Sequence, residues 1–260
     1  MAEDGQGRLE EQCRYLEACR ASLAQIQSTI DEHAEVSSRH REDIQIVAVT
    51  KYVETWQAEL LHQLGLRDFA ENRWQVAREK LSMKDAHAVR WHFIGPIQSN
   101  KAKYVARAFD VVHSLDNVSL LRLLEREATL ADRTLDVLVQ VNLDGGANRH
   151  GVSVSALSEL LKEVVKSSRL HLVGLMTMAP ATEDTRQIRD VFAQLRELRD
   201  EYQQKLSYQD LVHLSMGMSH DFPIAVEEGA TMLRLGRGLV LPATYRSEAP
   251  SSVQQRSEEL

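Results

Sequence analysis

Cysteine is scarce. The 260 residues hold two, Cys13 and Cys19, both in one Glu-, Gln- and Leu-rich stretch that reads as a helix. That leaves no disulfide framework and no cysteine-built zinc cluster, and it suits a reducing compartment. None of the ten histidines falls in an H-E-x-x-H or other compact ligand spacing, so no metal is expected. Long apolar runs are missing as well, none approaching the roughly 18 residues of a membrane span. The opening Met1-Ala2-Glu3-Asp4-Gly5 is acidic and has neither the apolar stretch of a secretory signal nor the Arg/Ser bias of a presequence, so a cytoplasmic protein is expected. Basic excess is also absent: 31 Lys and Arg face 38 Asp and Glu, a net charge of −7. This argues against a general nucleic-acid or anionic-membrane binder, since both lean on basic patches, but leaves small anions open as ligands. No G-x-G-x-x-G follows the first apolar run, and there is no G-x-x-x-x-G-K-[ST] loop or G-x-S-x-G elbow. Nucleotide hydrolysis and serine esterase chemistry therefore lack their usual signatures.

What is present is alternation. Leu9, Cys13, Leu16, Leu23, Ile26 and Ile30 recur at helical spacing, so one or two amphipathic helices open the chain. The β-branched run 44–50 reads as a first strand. Further strand-like runs follow at 68–70, 91–94, 111–114, 137–142, 170–178, 211–216 and 232–235, each ahead of a helix-patterned segment. The helical segments run over 55–64, 75–81, 100–108, 117–130, 153–166, 184–205 and 219–228. Asn117-Val118-Ser119 matches a glycosylation triplet but reads better as a helix start. About eight strand–helix units in some 200 residues predict an α/β fold: a single-domain (β/α)8 TIM-type barrel with an N-terminal helical extension. The expected division is a helical segment over 1–40 packed on the barrel, the barrel itself over 41–244, and a Ser/Glu/Gln-rich tail over 245–260 without apolar period, expected to be disordered.

In such a barrel, reactive groups stand at the carboxyl ends of the strands, and phosphates settle beside the loops after strands seven and eight. Lys51 follows the first strand, on the parity of Val47 and Val49, and is either a solvated lysine or an imine-forming one. Ser215-Met216-Gly217-Met218-Ser219 and Arg234-Leu235-Gly236-Arg237-Gly238 are small-residue turns into helix amino ends, where free N–H groups suit an anion; either alone is also a plain connection. Arg234 shares a face with Met232 and Gly236. If it points into the barrel mouth it needs an acceptor, either a carboxylate such as Glu71 or a ligand atom. Gln140 and Asn142 reach toward the mouth or bond neighbouring loops. His92, between two aromatics, fits a packed, satisfied side chain at least as well as a ligand contact. Lys101, Lys103 and Arg107 make a basic helix face, read as solvated.

Together these stretches resemble a known family. Ala48-Val49-Thr50-Lys51, Phe69-Ala70-Glu71-Asn72, Trp91 through Lys101, Gly174 through Met178, Leu214 through Ser219 and Glu228 through Gly236 match, in order, the signature blocks of the pyridoxal phosphate homeostasis proteins. The match spans about residues 40 to 240. The resemblance implies a barrel related to the amino-terminal domain of alanine racemase that holds pyridoxal 5′-phosphate (PLP), has no established turnover, and acts in vitamin B6 supply and amino-acid balance. It further implies that Lys51 carries the cofactor as a covalent aldimine, a Schiff base, and that Arg234 faces the pyridine nitrogen. The phosphate would lie in the turns of Ser215, Gly217, Ser219, Gly236 and Arg237, while Asn72, His92 and Met176 would line the cavity. Departures from the family pattern are Thr50 for serine, His220 for a small or acidic residue, and Arg237 for threonine. The last puts a hydroxyl-to-phosphate bond in doubt, though a guanidinium can reinforce anion binding.

Such a site suits a carrier. A partly desolvated Lys51 amine near a cation is favoured in its neutral, nucleophilic form. An arginine at the ring nitrogen weakens the electron sink, and an acceptor lysine takes the cofactor over by transimination. Apo-PLP enzymes are the expected acceptors, and a monomer or weak homodimer the expected state. Three alternatives stay open. A PLP-dependent amino-acid racemase needs a second base, which in the related enzyme comes from another domain that does not follow strand eight here. A Schiff-base aldolase needs a positioned general base with no evident candidate. A pure scaffold leaves Lys51 and the paired glycine turns unexplained.

Overall fold

The computed structural model describes residues 2–144 and 150–248. Eight parallel strands close on themselves: β1 (Gln45–Val49), β2 (Asp68–Glu71), β3 (Arg90–Phe93), β4 (Val111–Leu115), β5 (Leu135–Asn142), β6 (Leu170–Met176), β7 (His213–Ser215) and β8 (Met232–Leu235). Each pairs with its sequence neighbour, and β8 returns to β1 with Val47 opposite Arg234, so no edge is left exposed. A two-residue strand, Val152–Ser153, extends the end of β5.

The expected barrel is thus the observed fold, and its strands read as near-continuous apolar runs because both faces are covered. Along β1, Ile46 and Ala48 pack outward against helices while Val47 and Val49 join Ala70, Val111, Leu138, Val173, Met176 and Met232 in the barrel interior. Outside lie α2 (Thr55–Gln63), α3 (Trp74–Lys80), α4 (Ala102–Ala108), α5 (Val118–Leu130), α6 (Val154–Val165), α7 (Thr185–Lys205), α8 (Phe222–Glu227) and α9 (Arg237–Val240). The amphipathic ones bury one stripe each, as with Leu157, Leu160, Leu161 and Val164 of α6. Asn117 caps α5, its side chain accepting from Leu120 N at 2.8 Å, which accounts for the Asn-Val-Ser triplet as a helix start.

Ahead of β1, one 35-residue helix, α1 (Ala2–Val36), stands where the spacing allowed one or two. Tyr15, Cys19, Leu23, Ile30 and Ala34 form its buried face. The Tyr15 hydroxyl donates to Val240 O at 2.8 Å, and Ser22 donates to Gly238 O, so α1 backs the turn that follows β8. After the barrel, α10 (Ala243–Glu248) carries ordered chain past the expected start of the tail at 245. Tyr245 is 4% exposed, edge-on to Tyr15, and donates to Glu11. A single aromatic docked against α1 outweighs the polar composition around it. The rest of the expected tail, 249–260, lies outside the described residues.

Several element ends differ from the sequence pattern by one to three residues, among them those of the seventh strand and of the helix after it. The seventh strand is three residues rather than six, because Val212 folds back on Asp210 O and the chain turns at Gly217. The segment 219–228 becomes helical only at Phe222, since Asp221 N and Phe222 N both bond Met218 O in a turn first.

Candidate functional site

At the carboxyl ends of the strands lies a cavity of about 430 Å³. Seven of the ten residues singled out in the sequence line it: Lys51, Asn72, Met176, Ser219, Arg234, Gly236 and Arg237. The other three do not. His92, expected at the lining, and Ser215 and Gly217, expected in the turns that hold a phosphate, are buried and are not among its lining residues.

Lys51 stands one residue past Thr50, which is held on three sides. Thr50 N donates to Ala70 O at 3.0 Å, its hydroxyl donates to Glu71 Oε1 at 2.7 Å, and its carbonyl accepts from Lys80 Nζ at 2.7 Å. Lys80 also donates to Glu71 Oε1 at 2.7 Å, and both side chains are buried. Burial pushes the Glu71 carboxyl up, against the pull of Lys80, Thr50 and Lys51. Both bonds use Oε1, while Oε2 is buried without a hydrogen-bond partner among the described residues; the acceptor considered for Arg234 is not Glu71, since Arg234 bonds Ser215 and Thr177 instead. A serine at position 50 has the same hydroxyl to give, so the threonine preserves this contact.

Arg234 projects from β8 into the floor of the cavity, 4% exposed. It donates from Nη1 to Ser215 Oγ at 2.8 Å and from Nη2 to Thr177 O at 2.9 Å. A guanidinium has five N–H donors, so two bonds fix its plane and leave others for a ligand in the cavity it lines. Burial lowers its pKa to about 10, leaving it charged at neutral pH.

Opposite, the turns after β7 and β8 adjoin: a Cβ on Gly238 would lie 3.4 Å from Ser219 Oγ. Gly217 has φ +91°, and a Cβ there would come within 2.6 Å of that of Ala225, so the turn needs glycine. Asp221, buried, accepts from Met218 N and ties the loop down. The helices that follow have only six and four residues. An anion placed here would meet individual donors such as the Ser219 hydroxyl, the Arg237 guanidinium and first-turn N–H groups rather than a long helix dipole.

Several lining residues escaped sequence reasoning. Lys51 Nζ and Arg237 Cζ lie 4.7 and 5.6 Å from the centroid of the Tyr52 ring, which links the amine to the β8 turn. Gly95 allows Asn72 its place at the rim, since a Cβ there would sit 2.2 Å from Asn72 O. Ile94, Pro96, Met178 and Met218 join Met176 in apolar walls suited to a flat ring. His150 and His220 also border the cavity; Gln140, for which the sequence left the mouth and a neighbouring loop open, does both, donating to His150 O at 3.1 Å. Lys51 and Tyr52 separate this cavity from a second cleft of about 820 Å³ bordered by Glu54, Glu59 and Glu79. Adjacency to Lys51 was the one signal that would have found Tyr52.

The donor set fits PLP on this chain's own geometry. One amine, one buried cation, a polar double turn and methionine walls surround a space of the right size for a small planar phosphate ester.

Comparison with known proteins agrees. Residues 21–243 match the family model described as alanine racemase, N-terminal domain. A pyridoxal phosphate homeostasis protein from Aquifex aeolicus is 35% identical over 221 residues, covering 85% of this chain and 96% of its own. One from Pseudomonas aeruginosa is 34% identical, covering 88% and 97%. Among solved structures, PipY of Synechococcus elongatus with PLP bound superposes with a TM-score of 0.73 at 33% identity, covering 82% of this chain and 99% of that one.

Proposed function

Because this chain belongs to the pyridoxal phosphate homeostasis protein family, built on the alanine racemase amino-terminal fold, we propose that it is a PLP-holding protein of vitamin B6 and amino-acid balance. In this reading the Lys51 amine bonds covalently to the aldehyde carbon. Arg234 donates to the pyridine nitrogen, Ser219, Gly236 and Arg237 hold the phosphate, and Asn72 and the methionines bracket the ring. The observation that carries it is the convergence of Lys51, Arg234 and the two adjoining turns on one cavity.

PLP supplies an aldehyde and an electron-withdrawing ring. The protein's residues decide how much of that is used. An arginine at the ring nitrogen gives hydrogen bonds but holds its own proton, so the ring nitrogen stays unprotonated and carbanion chemistry is disfavoured. That suits a non-catalytic holder. The second cleft beside Lys51 offers an acceptor amine an approach from the side away from the ring, and the acceptors in this reading are apo-PLP enzymes.

One observation favours a competing reading. Tyr52, His150 and His220 border the same cavity, and each can carry a proton as racemisation requires. Incubating the PLP-loaded protein with L-alanine separates the two. No change in optical rotation supports the holder; steady turnover near about 1 per second or faster establishes a racemase.

A further inference from the structure

A chain of buried polar side chains runs through the barrel from the amino ends of the strands to the cavity floor. Asp68 opens β2 with its side chain 15% exposed, and its Oδ1 lies 3.0 Å from His92 Nε2. His92 Nδ1 is 2.8 Å from His113 Nε2, and His113 Nδ1 is 2.8 Å from Ser215 Oγ. Ser215 Oγ accepts from Arg234 Nη1 at 2.8 Å. His92, His113 and Ser215 are wholly buried.

The two ends fix the direction of every hydrogen. Arg234 can only donate, and an ionised Asp68 can only accept. Burial opposes ionisation of Asp68, but hydrogen bonds from His92 and Gln45 prevail and hold its carboxyl below the ordinary value. Burial holds both histidines neutral, His113 most strongly. If His113 instead carried its proton on Nδ1 and gave it to Ser215, His92 would have to give from Nδ1 and turn a lone pair toward the carboxylate. Only one arrangement is free of that clash: Ser215 gives to His113 Nδ1, His113 gives from Nε2, and His92 gives from Nε2 to Asp68.

We propose that Asp68, His92 and His113 are positioning residues that act through Ser215 to orient and polarise Arg234, so that a carboxylate at one end of the barrel sets the donor presented to a ligand at the other. The inference rests on the proposed PLP reading for what the ligand is, but not for the chain itself. None of the three residues touches the cavity. Their negative end draws hydrogen-bond polarity away from Arg234 and leaves its remaining N–H groups facing the ligand.

Nitrogen-15 NMR of the labelled, ligand-free full chain tests it. Wild type is expected to show His92 and His113 both protonated on Nε2 alone at neutral pH; a proton on Nδ1 of either, or two protons on either, overturns the proposal. In Asp68→Asn, which keeps an acceptor but loses the charge and gains a donor, the single-tautomer signature at His92 is expected to be lost. The Arg234 guanidinium resonances and the absorption maximum of added PLP are expected to shift, and Asp68→Glu to restore them in part. Unmoved Arg234 resonances in a folded Asp68→Asn protein overturn it. An unshifted PLP spectrum in a variant that still binds PLP does so too. Wild-type protein that binds no PLP defeats the proposed function instead, and the Arg234 resonances then decide this inference alone.

Discussion

Lys80 Nζ lies 2.7 Å from Glu71 Oε1 in the barrel wall, both side chains excluded from solvent, and the pair clasps Thr50 immediately before Lys51. The Lys51 backbone is thereby fixed by groups that never enter the cavity. Removing one partner strands a buried charge: Lys80→Met is expected to cost about 3–5 kcal/mol of unfolding free energy. The double variant Lys80→Met/Glu71→Leu recovers much of that loss. Urea unfolding of the single and double variants is the check, and equal losses in both would contradict the pairing.

Thr50 gives a finer version of the same test. Thr50→Val deletes the hydroxyl that donates to Glu71 and is expected to cost about 1–3 kcal/mol, whereas Thr50→Ser keeps the donor and stays near wild type. Thermal denaturation of the two proteins side by side distinguishes a needed hydroxyl from a needed shape.

Acid sensitivity should originate inside the barrel. Burial depresses the pKa of His92 and His113, so below the ordinary histidine value of about 6.5 the unfolded chain binds protons that the folded chain refuses. Their contribution is present above that pH and is lost as pH falls, by up to about 1.4 kcal/mol per pH unit for each histidine. Unfolding free energies measured from pH 7.5 to pH 5 are expected to fall with this sign. A flat profile, or one that rises on acidification, would mean that the pair is charged in the folded protein.

Gly217→Ala adds a Cβ at φ +91° and 2.6 Å from the Cβ of Ala225. Strain of this kind costs on the order of 1–3 kcal/mol. Because Gly217 shapes the turn that presents Ser219, PLP affinity by fluorescence titration is expected to fall along with the melting temperature. Lost affinity with unchanged stability would indicate that Gly217 itself touches the ligand.

How much of this was legible in the sequence follows from the range of the interactions. The strands were readable because a parallel strand covered on both faces is a short uninterrupted apolar run, as in 44–50, and Asn117 announced α5 by local capping chemistry. Lys51, Arg234 and the glycine turns were reachable from strand ends and parity. Lys80 was not, because at the end of a helix it looks like any solvated lysine until the chain folds back and sets it against Glu71 and Thr50. His113 was missed for the same reason: its partners lie 21 and 102 residues away. Tyr245 was hidden by its polar neighbours, although one docked ring outweighs them. His92 sat in the right block but on a layer below the cavity, a distinction of depth along the barrel axis that parity alone does not make.

The account stands most directly on which residue bonds to the cofactor. Purified protein loaded with PLP, reduced with borohydride, digested and mapped by mass spectrometry should carry the phosphopyridoxyl group on Lys51, and Lys51→Ala should carry none. Modification at Lys80, Lys101 or any other lysine, with Lys51 untouched, would contradict it.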